Sequence, residues 1–530
     1  MKSNMLFSVQ GRPFFPLGGQ AHNSSGYSPQ EAERAFEAVA AMHGNSIAIP
    51  ITWEQVEPQE GSFDFSMVDN LVERCRKAEI HLVILWFATW KNGTMKYAPA
   101  WVKLDRQRFR RVRDCDGLEL TVLSSHCAEN QRADGDAFCR LVQHVRDIDG
   151  DTQTVIGFQI ENEPGIIGRT PRDFGPEATA EYEAAVPEDL LANLEAMGQG
   201  RAYEIWQACG GKKGEGWFGA FGNRGHAFLT AYSIARYIDG IAQRAKAIYD
   251  LPMYVNVWLG MDGLGYTTPG TEHPAGGGTA LNLDIWKAAT RFIDTLAPDN
   301  YLQAKRDFLA VCEAFARPDN PLYTPESGRS GSNSRLIFHA IANYGCSGHH
   351  IFGVEDILLP DGSVRPDSQE LVGSYRALAA AQPLLTQYIG TGRIYAIDQE
   401  EDATAQYIHL DGYLAIVTFL PHTHNDYHHR DPDAPAERGR GLIFQTGADE
   451  FYVLGAGFSV RLQKCAPLLE DVPPYYAAYQ DRQINYLVCE EGRFDAEGQW
   501  VADRLRTGDE SDFGIWAESD VGVVKVVICP

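Results

Sequence analysis

The segment Val155–Gly165 reads VIGFQIENEPG, an apolar run that ends in an Asn-Glu pair and then a Pro-Gly break. A second short segment, NPLYTPESG at Asn320–Gly328, ends in one carboxylate, Glu326. Both patterns are typical of buried strands that place an acid at a turn. Cleavage of an acetal needs one carboxyl group that donates a proton and another that stays ionised beside the reacting carbon. The pair Glu163 and Glu326 therefore predicts glycoside hydrolysis.

Short apolar segments alternate with longer helical patterns before the last part of the chain. The predicted strands are Phe14–Gly18, Ser46–Ile51, His81–Trp86, Val155–Ile160, Met253–Trp258, Ile293–Ala297, Leu322–Pro325 and Gly348–Phe352. Predicted helices include Pro29–Met42, Phe65–Ala78, Asp136–Ile148, Ala227–Ile248, Ile285–Ile293 and Leu302–Ala316. This rhythm predicts an α/β fold, a TIM (β/α)8 barrel, whose catalytic residues lie at the C-terminal ends of the strands. Glu163 and Glu326 would then face the same mouth.

A chain of 530 residues exceeds the usual size of one domain. We expect a catalytic barrel over residues 1–382 and an all-β, sandwich-like domain over residues 383–530. The strands predicted in the second domain are Arg393–Ile397, Ala405–Leu410, Leu414–Phe419, Gly441–Phe444, Glu450–Leu454, Phe458–Gln463 and Val521–Ile528. The long segment Pro164–Trp217, with a helical patch at Pro187–Gly198, is predicted to be an insertion that shapes the site.

The charge of the chain limits its partners. With 46 Lys and Arg against 71 Asp and Glu, the formal net charge is −25, which repels nucleic acid and anionic lipid surfaces. The first ten residues lack the apolar core of a signal peptide, and no run of about 18 apolar residues occurs. We therefore expect a cytoplasmic protein without nucleic-acid or membrane partners.

The ten cysteines are scattered and form no CxxC motif. That distribution favours reduced thiols over a disulfide framework or a zinc site. A His-rich polar tract, Pro421–Arg430, is interpreted as a solvated loop. No metal and no organic cofactor is expected.

Several motifs at strand ends together resemble glycoside hydrolase clan A, and within it family 35, in the bacterial branch with a small appended β-domain. They are Leu17–Ser25, Pro50–Phe65, Leu85–Gly93, Ser124–Glu129, Glu161–Glu163, Pro252–Asn256, Leu283–Lys287 and Ala297–Tyr301. The resemblance implies that Glu163 is the general acid/base and Glu326 the nucleophile of a retaining double displacement. It also implies that Asn162 hydrogen-bonds the sugar 2-hydroxyl.

Other residues near strand ends are candidates for sugar binding. Tyr301 is placed to donate a hydrogen bond to Glu326, and Asn300 could contact the sugar instead. Glu161 is expected to lie deeper in the barrel in a structural role. Polar or aromatic character at a strand end adds five further candidates: Gln20, His22, Trp90, Trp258 and Phe352. Whether Trp53 also lines the site is left open.

These features predict an exo-acting retaining β-glycosidase, with a β-galactosidase as the first choice. Gln20 stands where family 35 usually has an acid, which leaves β-glucosides and α-L-arabinopyranosides open. A transglycosylase of the same fold is also open, and so is a non-catalytic carbohydrate-binding barrel, although the presence of both glutamates argues against the latter. The expected partner is a carbohydrate substrate. The sequence is compatible with a homo-oligomer, and the β-domain is expected to be a packing element.

Overall fold

The structure is a computed structural model that describes residues 5–261, 268–419, 437–465, 484–512, 514–517 and 522–529. The polar tract predicted as a loop at residues 421–430 lies outside this range.

Seven parallel strands form the sheet at the centre of the first domain, in the order β10-β9-β8-β5-β4-β3-β11. Two antiparallel hairpins, β1-β2 and β6-β7, accompany it. The strands are β1 Phe7–Val9, β2 Arg12–Phe14, β3 Leu17–Gln20, β4 Ser46–Thr52, β5 His81–Lys91, β6 Arg111–Arg113, β7 Glu119–Leu123, β8 Val155–Asn162, β9 Met253–Val257, β10 Thr295–Pro298 and β11 His349–Phe352.

An eighth segment, 322–327, closes the sheet into a barrel. Thr324 bridges to His349 on one side, and Ser327 bridges to Asn300 on the other, both in parallel orientation. The backbone N–H of His350 donates to Thr324 O at 2.9 Å. This is where the seventh strand was predicted, although its pairing consists of isolated bridges. The predicted (β/α)8 barrel is confirmed.

Helices surround the sheet and follow most strands. They are α1 Pro29–Ala41, α2 Trp53–Val56, α3 Ser66–Ala78, α4 Ala100–Leu104, α5 Ala128–Asp149, α6 Pro176–Glu183, α7 Glu188–Met197, α8 Arg201–Ala208, α9 Trp217–Phe221, α10 Gly225–Lys246, α11 Leu283–Ala289, α12 Lys305–Phe315, α13 Gly331–Tyr344, α14 Gln369–Ala380, α15 Gln382–Tyr388 and α16 Asp509–Asp512. The insertion after β8 holds α6 to α8, so it contains more helix than the single patch predicted. No helix in the described part of the chain is long and apolar enough to cross a membrane.

Two predicted boundaries are wrong for physical reasons. The first barrel strand begins at Leu17 instead of Phe14, because Pro16 has no N–H to donate to a ladder and separates hairpin β1-β2 from the barrel. Helix α5 begins at Ala128 instead of Asp136. Its first turns bury the polar side chains of Asn130 and Asp134, which breaks the apolar pattern used to predict it.

The last part of the chain forms two antiparallel sheets, β12-β15-β16-β21-β18-β19 and β13-β14-β17-β20. Their strands are β12 Ile394–Asp398, β13 Ala405–Leu410, β14 Tyr413–Phe419, β15 Arg440–Gln445, β16 Glu450–Ala456, β17 Phe458–Lys464, β18 Tyr486–Phe494, β19 Trp500–Leu505, β20 Ile515–Ala517 and β21 Val523–Ile528. Strands β18 to β20 were not predicted, since charged residues interrupt the alternation in β18 and β19. The predicted all-β C-terminal region is confirmed.

Apolar side chains from both sheets, such as Val453 and Val417, form one core between them. The outer face of the six-stranded sheet contributes Leu442 and Leu454 to the hydrophobic core of the barrel. Arg440 is buried in this contact, and its Nε donates to Ser374 Oγ of α14 at 2.9 Å. The β-sheets therefore pack directly on the barrel, while the domain boundary at residues 382 and 383 stays a prediction.

Candidate active site

A cavity of about 730 Å³ opens at the C-terminal ends of the barrel strands. It is the end at which TIM barrels carry their functional residues. The residues that line it are Asn23, Lys91, Asn92, Lys96, Tyr97, Glu163, Trp258, Leu259, Asp299, Tyr301, Leu302, Glu326 and Phe352. Three carboxyl groups and the buried ammonium of Lys91 thus share one space.

Glu163 follows β8 directly and has a positive φ of 46°. Its backbone N–H donates to Asn256 Oδ1 at 3.0 Å, which fixes the turn, and its side chain lines the cavity. Burial, and then the negative charge of Glu326, raise the pKa of Glu163 to about 7. Contacts with Asp299, Lys91 and Trp258 oppose that rise. A carboxyl group in this environment keeps its proton near neutral pH.

Glu326 lies in the segment that closes the barrel and receives hydrogen bonds from three neutral donors. Gln20 Nε2 donates to Oε1 at 2.7 Å, and Tyr301 Oη donates to Oε2 at 2.6 Å. Asn256 Nδ2 lies 3.2 Å from Oε1. Such donors stabilise a charged carboxylate and hold it in one orientation. The two glutamates therefore have contrasting surroundings within one cavity.

Asn256, near the end of β9, connects these groups. Its Nδ2 contacts Asn162 Oδ1 at 3.2 Å and Asp299 Oδ2 at 2.9 Å, in addition to Glu326. Because its Oδ1 also accepts the N–H of Glu163, one amide holds the ends of four neighbouring strands together.

Glu161 lies two residues before Glu163 but points elsewhere. Strand alternation would put both side chains on one side, and a positive φ of 64° at Glu161 breaks that alternation. Its carboxyl group accepts N–H bonds from β5, including Trp90 N at 2.7 Å, Thr89 N at 3.2 Å and Ala88 N at 3.3 Å. Burial, and then the charge of the neighbouring Asp134, raise the pKa of Glu161 well above its ordinary value. Glu161 thus holds the irregular end of β5 in place.

We expect Glu161→Ala to lower the free energy of unfolding by about 3 kcal/mol or more, since each buried N–H left without an acceptor costs about 1–3 kcal/mol. Urea denaturation followed by tryptophan fluorescence measures this. Glu163→Ala is the matched control, and its loss should stay within about 1 kcal/mol because no backbone N–H in the described part of the chain donates to that side chain. Equal losses in the two variants would refute the assignment.

The end of β5 brings Lys91 into the cavity. Between Trp86 and Lys91 the pairing with β8 is irregular, so that Lys91 faces Asn162. Lys91 is only 7% exposed, and its ammonium lies over the ring of Phe87, 4.8 Å from the centroid. Burial raises the pKa of both Glu163 and Asp299, and the positive charge of Lys91 opposes that rise.

Some predicted sugar-binding residues line the cavity and others do not. Trp258, Tyr301 and Phe352 form part of its wall. His22 lies beside it, 5.4 Å from the ring of Phe352 and 3.2 Å from the carboxylate of Asp356. Gln20 is fully buried behind Glu326 and contacts that residue instead of the cavity.

The remaining three predicted positions, Trp90, Asn300 and Asn162, do not line the cavity. Trp90 is buried and packs on Tyr237 with ring centroids 4.9 Å apart, since the irregular end of β5 turns Lys91 outward in its place. Asn300 faces away and donates to Phe308 O at 3.2 Å, while its neighbour Asp299 lines the cavity. Asn162 is fully buried, and its Nδ2 lies 3.5 Å from Oδ1 of Asn92.

Sequence reasoning missed three important residues: Lys91, Asn256 and Asp299. Asn256 is the one polar residue in the strand MYVNV, and Asp299 directly follows β10. The strand-end rule that found the glutamates would have found both. Lys91 could not be found in this way, because the irregularity that extends β5 depends on Glu161. Within the described ranges, no group of three or more His, Cys, Asp or Glu side chains has the arrangement of a metal site.

Two family models match the chain. The model Glyco_hydro_42, described as Beta-galactosidase, matches residues 25–206, and DUF5597, a domain of unknown function, matches residues 371–518. The matched glycosidase model is thus family 42, whereas the sequence motifs predicted family 35. Both are β-galactosidase families of the same clan, so the correction changes the family and keeps the clan.

The solved structures that match this chain in a structural comparison include three bacterial enzymes. A beta-galactosidase from Bacillus circulans sp. alkalophilus is 14% identical, with 71% of this chain and 57% of that chain covered and a TM-score of 0.48. The beta-galactosidase from Marinomonas ef1 is 11% identical, with 71% and 62% covered and a TM-score of 0.48. The catalytic domain of beta-amylase from Paenibacillus polymyxa is 13% identical, with 69% and 98% covered and a TM-score of 0.46. This chain therefore spans about three fifths of those two galactosidase chains. No curated protein sequence matches.

Proposed function

We propose that this chain, whose barrel is that of a clan A glycoside hydrolase, is a retaining exo-β-glycosidase of the family 42 type that acts as a β-galactosidase. One observation carries the proposal. Two glutamates at the ends of β8 and of the closing segment share a cavity: burial raises the pKa of Glu163 to about 7, and three neutral donors hold the carboxylate of Glu326 in one orientation. The match of residues 25–206 to a beta-galactosidase model supports the same conclusion.

In the first step Glu163 donates its proton to the glycosidic oxygen as Glu326 attacks the anomeric carbon. The bond to the leaving group breaks, and a glycosyl ester forms on Glu326. In the second step the Glu163 carboxylate removes a proton from water, and the resulting oxygen nucleophile displaces Glu326. Two inversions at the anomeric carbon give net retention.

The wall of the cavity suits a pyranose ring. Trp258, Tyr301 and Phe352 present aromatic surface to the C–H faces of a sugar, while Asn23 and Asn92 supply hydroxyl partners. The volume of about 730 Å³ fits a small ligand such as one sugar with its leaving group.

Tyr301 is expected to support the nucleophile. In Tyr301→Phe, the loss of one hydrogen bond to a charged group should lower kcat/KM by about 10- to 100-fold, because such a bond is worth about 1.5–3 kcal/mol. Steady-state kinetics on an aryl glycoside measure this, with Tyr407→Phe in the β-domain as the control that makes the same chemical change outside the cavity. Unchanged kcat/KM in Tyr301→Phe would remove Tyr301 from the mechanism.

The experiment that tests the function is a panel of aryl glycosides: β-galactoside, β-glucoside, β-xyloside, β-fucoside and α-L-arabinopyranoside. Initial rates are compared with those of Glu326→Gln as the blank. The proposal expects the β-galactoside to be hydrolysed fastest, with the β-anomer of the sugar as the first product seen by NMR. Release of α-galactose from the β-galactoside would refute retention. No release from any member of the panel would refute the β-galactosidase assignment.

A further inference from the structure

Asp299 is a third carboxyl group in the cavity. It is 5% exposed and follows β10, and its backbone N–H donates to Val257 O at 3.0 Å. Its Oδ2 accepts from Asn256, whereas its buried Oδ1 has no conventional hydrogen-bond donor among the described residues. The side chain of Glu163 lines the same cavity, and a side-chain hydrogen bond joins the two carboxyl groups.

We propose that Asp299 is a positioning residue that shares one proton with Glu163, so that the two carboxyl groups act as a single acid. This inference rests on the proposed function and assigns a role to a residue outside the pair of glutamates. The single amide of Asn256 holds both partners, since it accepts from Glu163 N and donates to Asp299 Oδ2. Their mutual placement is therefore built into the ends of β8, β9 and β10.

The charges that face the pair explain why one proton stays. Glu326 and Tyr301 face it from one side, Lys91 faces it from β5, and Lys96 lines the outer part of the cavity. The ammonium of Lys91 balances one negative charge. With Glu326 ionised, two further carboxylates in the same buried space would leave an excess of negative charge that the cavity cannot solvate.

The net charge of Glu326, Glu163 and Asp299 together stays constant during the reaction. Before attack, Glu326 carries one negative charge and the pair carries one. When Glu326 forms the glycosyl ester its charge disappears, and at the same moment the pair gives its proton to the leaving oxygen and carries two. Hydrolysis of the ester by water returns the proton to the pair and the charge to Glu326. Every proton and charge is accounted for without another reactant.

Asp299→Asn tests the proposal on two substrates of different leaving group. We expect kcat/KM for an alkyl β-galactoside, whose departure needs a proton, to fall by about 10- to 100-fold, less than the roughly 10²- to 10⁴-fold of a general acid that is lost completely. For 2,4-dinitrophenyl β-galactoside, which leaves without a proton, it should change little. A residue that merely holds the fold or binds the sugar would lower both equally, and that result would overturn the proposal.

The pH profile gives a second readout. In Asp299→Ala the carboxyl group whose hydrogen bond opposes the rise in the pKa of Glu163 is absent, so the alkaline limb of kcat/KM should move to higher pH. Asp284→Ala, which removes a buried carboxylate paired with Arg317 outside the cavity, is the matched control and should leave the profile unmoved. An unmoved alkaline limb in Asp299→Ala would count against the shared proton.

Infrared spectroscopy during a pH titration measures the protonation of the Glu163 and Asp299 carboxyl groups without substrate turnover. The band of the protonated carboxyl group in the wild type should be altered in both Glu163→Gln and Asp299→Asn. If Asp299→Asn does not fold, Glu163→Gln decides, since the proton left on Asp299 should dissociate at a lower pH than in the wild type. A band that Glu163→Gln leaves unchanged overturns the proposal. A wild type inactive on all glycosides would refute the proposed function, while this titration would still decide whether the proton is shared.

Discussion

Glu326→Gln is expected to abolish glycoside hydrolysis, with kcat lower by at least about 10⁴-fold, as is typical when the nucleophile of a covalent mechanism is removed. The amide cannot form the glycosyl ester, and it also disturbs the donors that surround the carboxylate. Gln20, Asn256 and Tyr301 all donate toward Glu326, so an NH₂ group at that position meets N–H and O–H groups. Initial rates on the aryl β-galactoside measure the loss.

Glu57→Gln is the matched control. Glu57 is buried outside the cavity, where it accepts from Trp53 Nε1 at 3.0 Å, and the same chemical change there should leave kcat within a few-fold. Trapping with 2-deoxy-2-fluoro-β-galactosyl fluoride and peptide mass analysis then identifies the nucleophile directly. Label on the peptide that contains Glu326 is the expected result. Label on Asp299 or Glu163 would refute the assignment, which matters because all three carboxyl groups share the cavity.

The fold and the two central glutamates could be predicted from the sequence because they depend on local patterns. An apolar run that ends in Glu163 needs only its own segment to indicate a strand and a turn. The rule that TIM barrels carry functional groups at the C-terminal strand ends then places Glu163 and Glu326 together. Family resemblance supplied the clan, whereas the family model that matches is family 42.

The remaining features of the site depend on contacts between segments that are distant in sequence. Lys91 enters the cavity because Glu161 holds the irregular end of β5, and Glu161 points there because of its left-handed backbone. The choice between Asp299 and Asn300 depends on which of two neighbours faces the cavity at the strand end. A one-residue difference in that register exchanges them, and no local pattern determines it.

Glu163→Ala is expected to make the activity depend on the leaving group. For an alkyl β-galactoside kcat/KM should fall by about 10²- to 10⁴-fold, the usual contribution of general acid catalysis. For 2,4-dinitrophenyl β-galactoside it should remain near the wild-type value, because that leaving group departs unprotonated. Hydrolysis of the ester then lacks its general base, so a burst of dinitrophenolate should precede slow turnover in stopped-flow measurements.

Azide should restore turnover in this variant, because it is a nucleophile that needs no base and the truncated side chain leaves room for it. The product should be the β-galactosyl azide, which NMR identifies.

The pH profile of kcat/KM follows from the same residue. Glu163 must be protonated to act as the acid, and burial with the charge of Glu326 raises its pKa to about 7. The wild-type rate should therefore be highest below that value and fall as the pH rises through it. On the alkyl β-galactoside, the residual kcat/KM of Glu163→Ala should lack this alkaline limb. If the limb persisted unchanged, the acid would be another group, and Asp299 would be the first residue to test because it lines the cavity and burial raises its pKa.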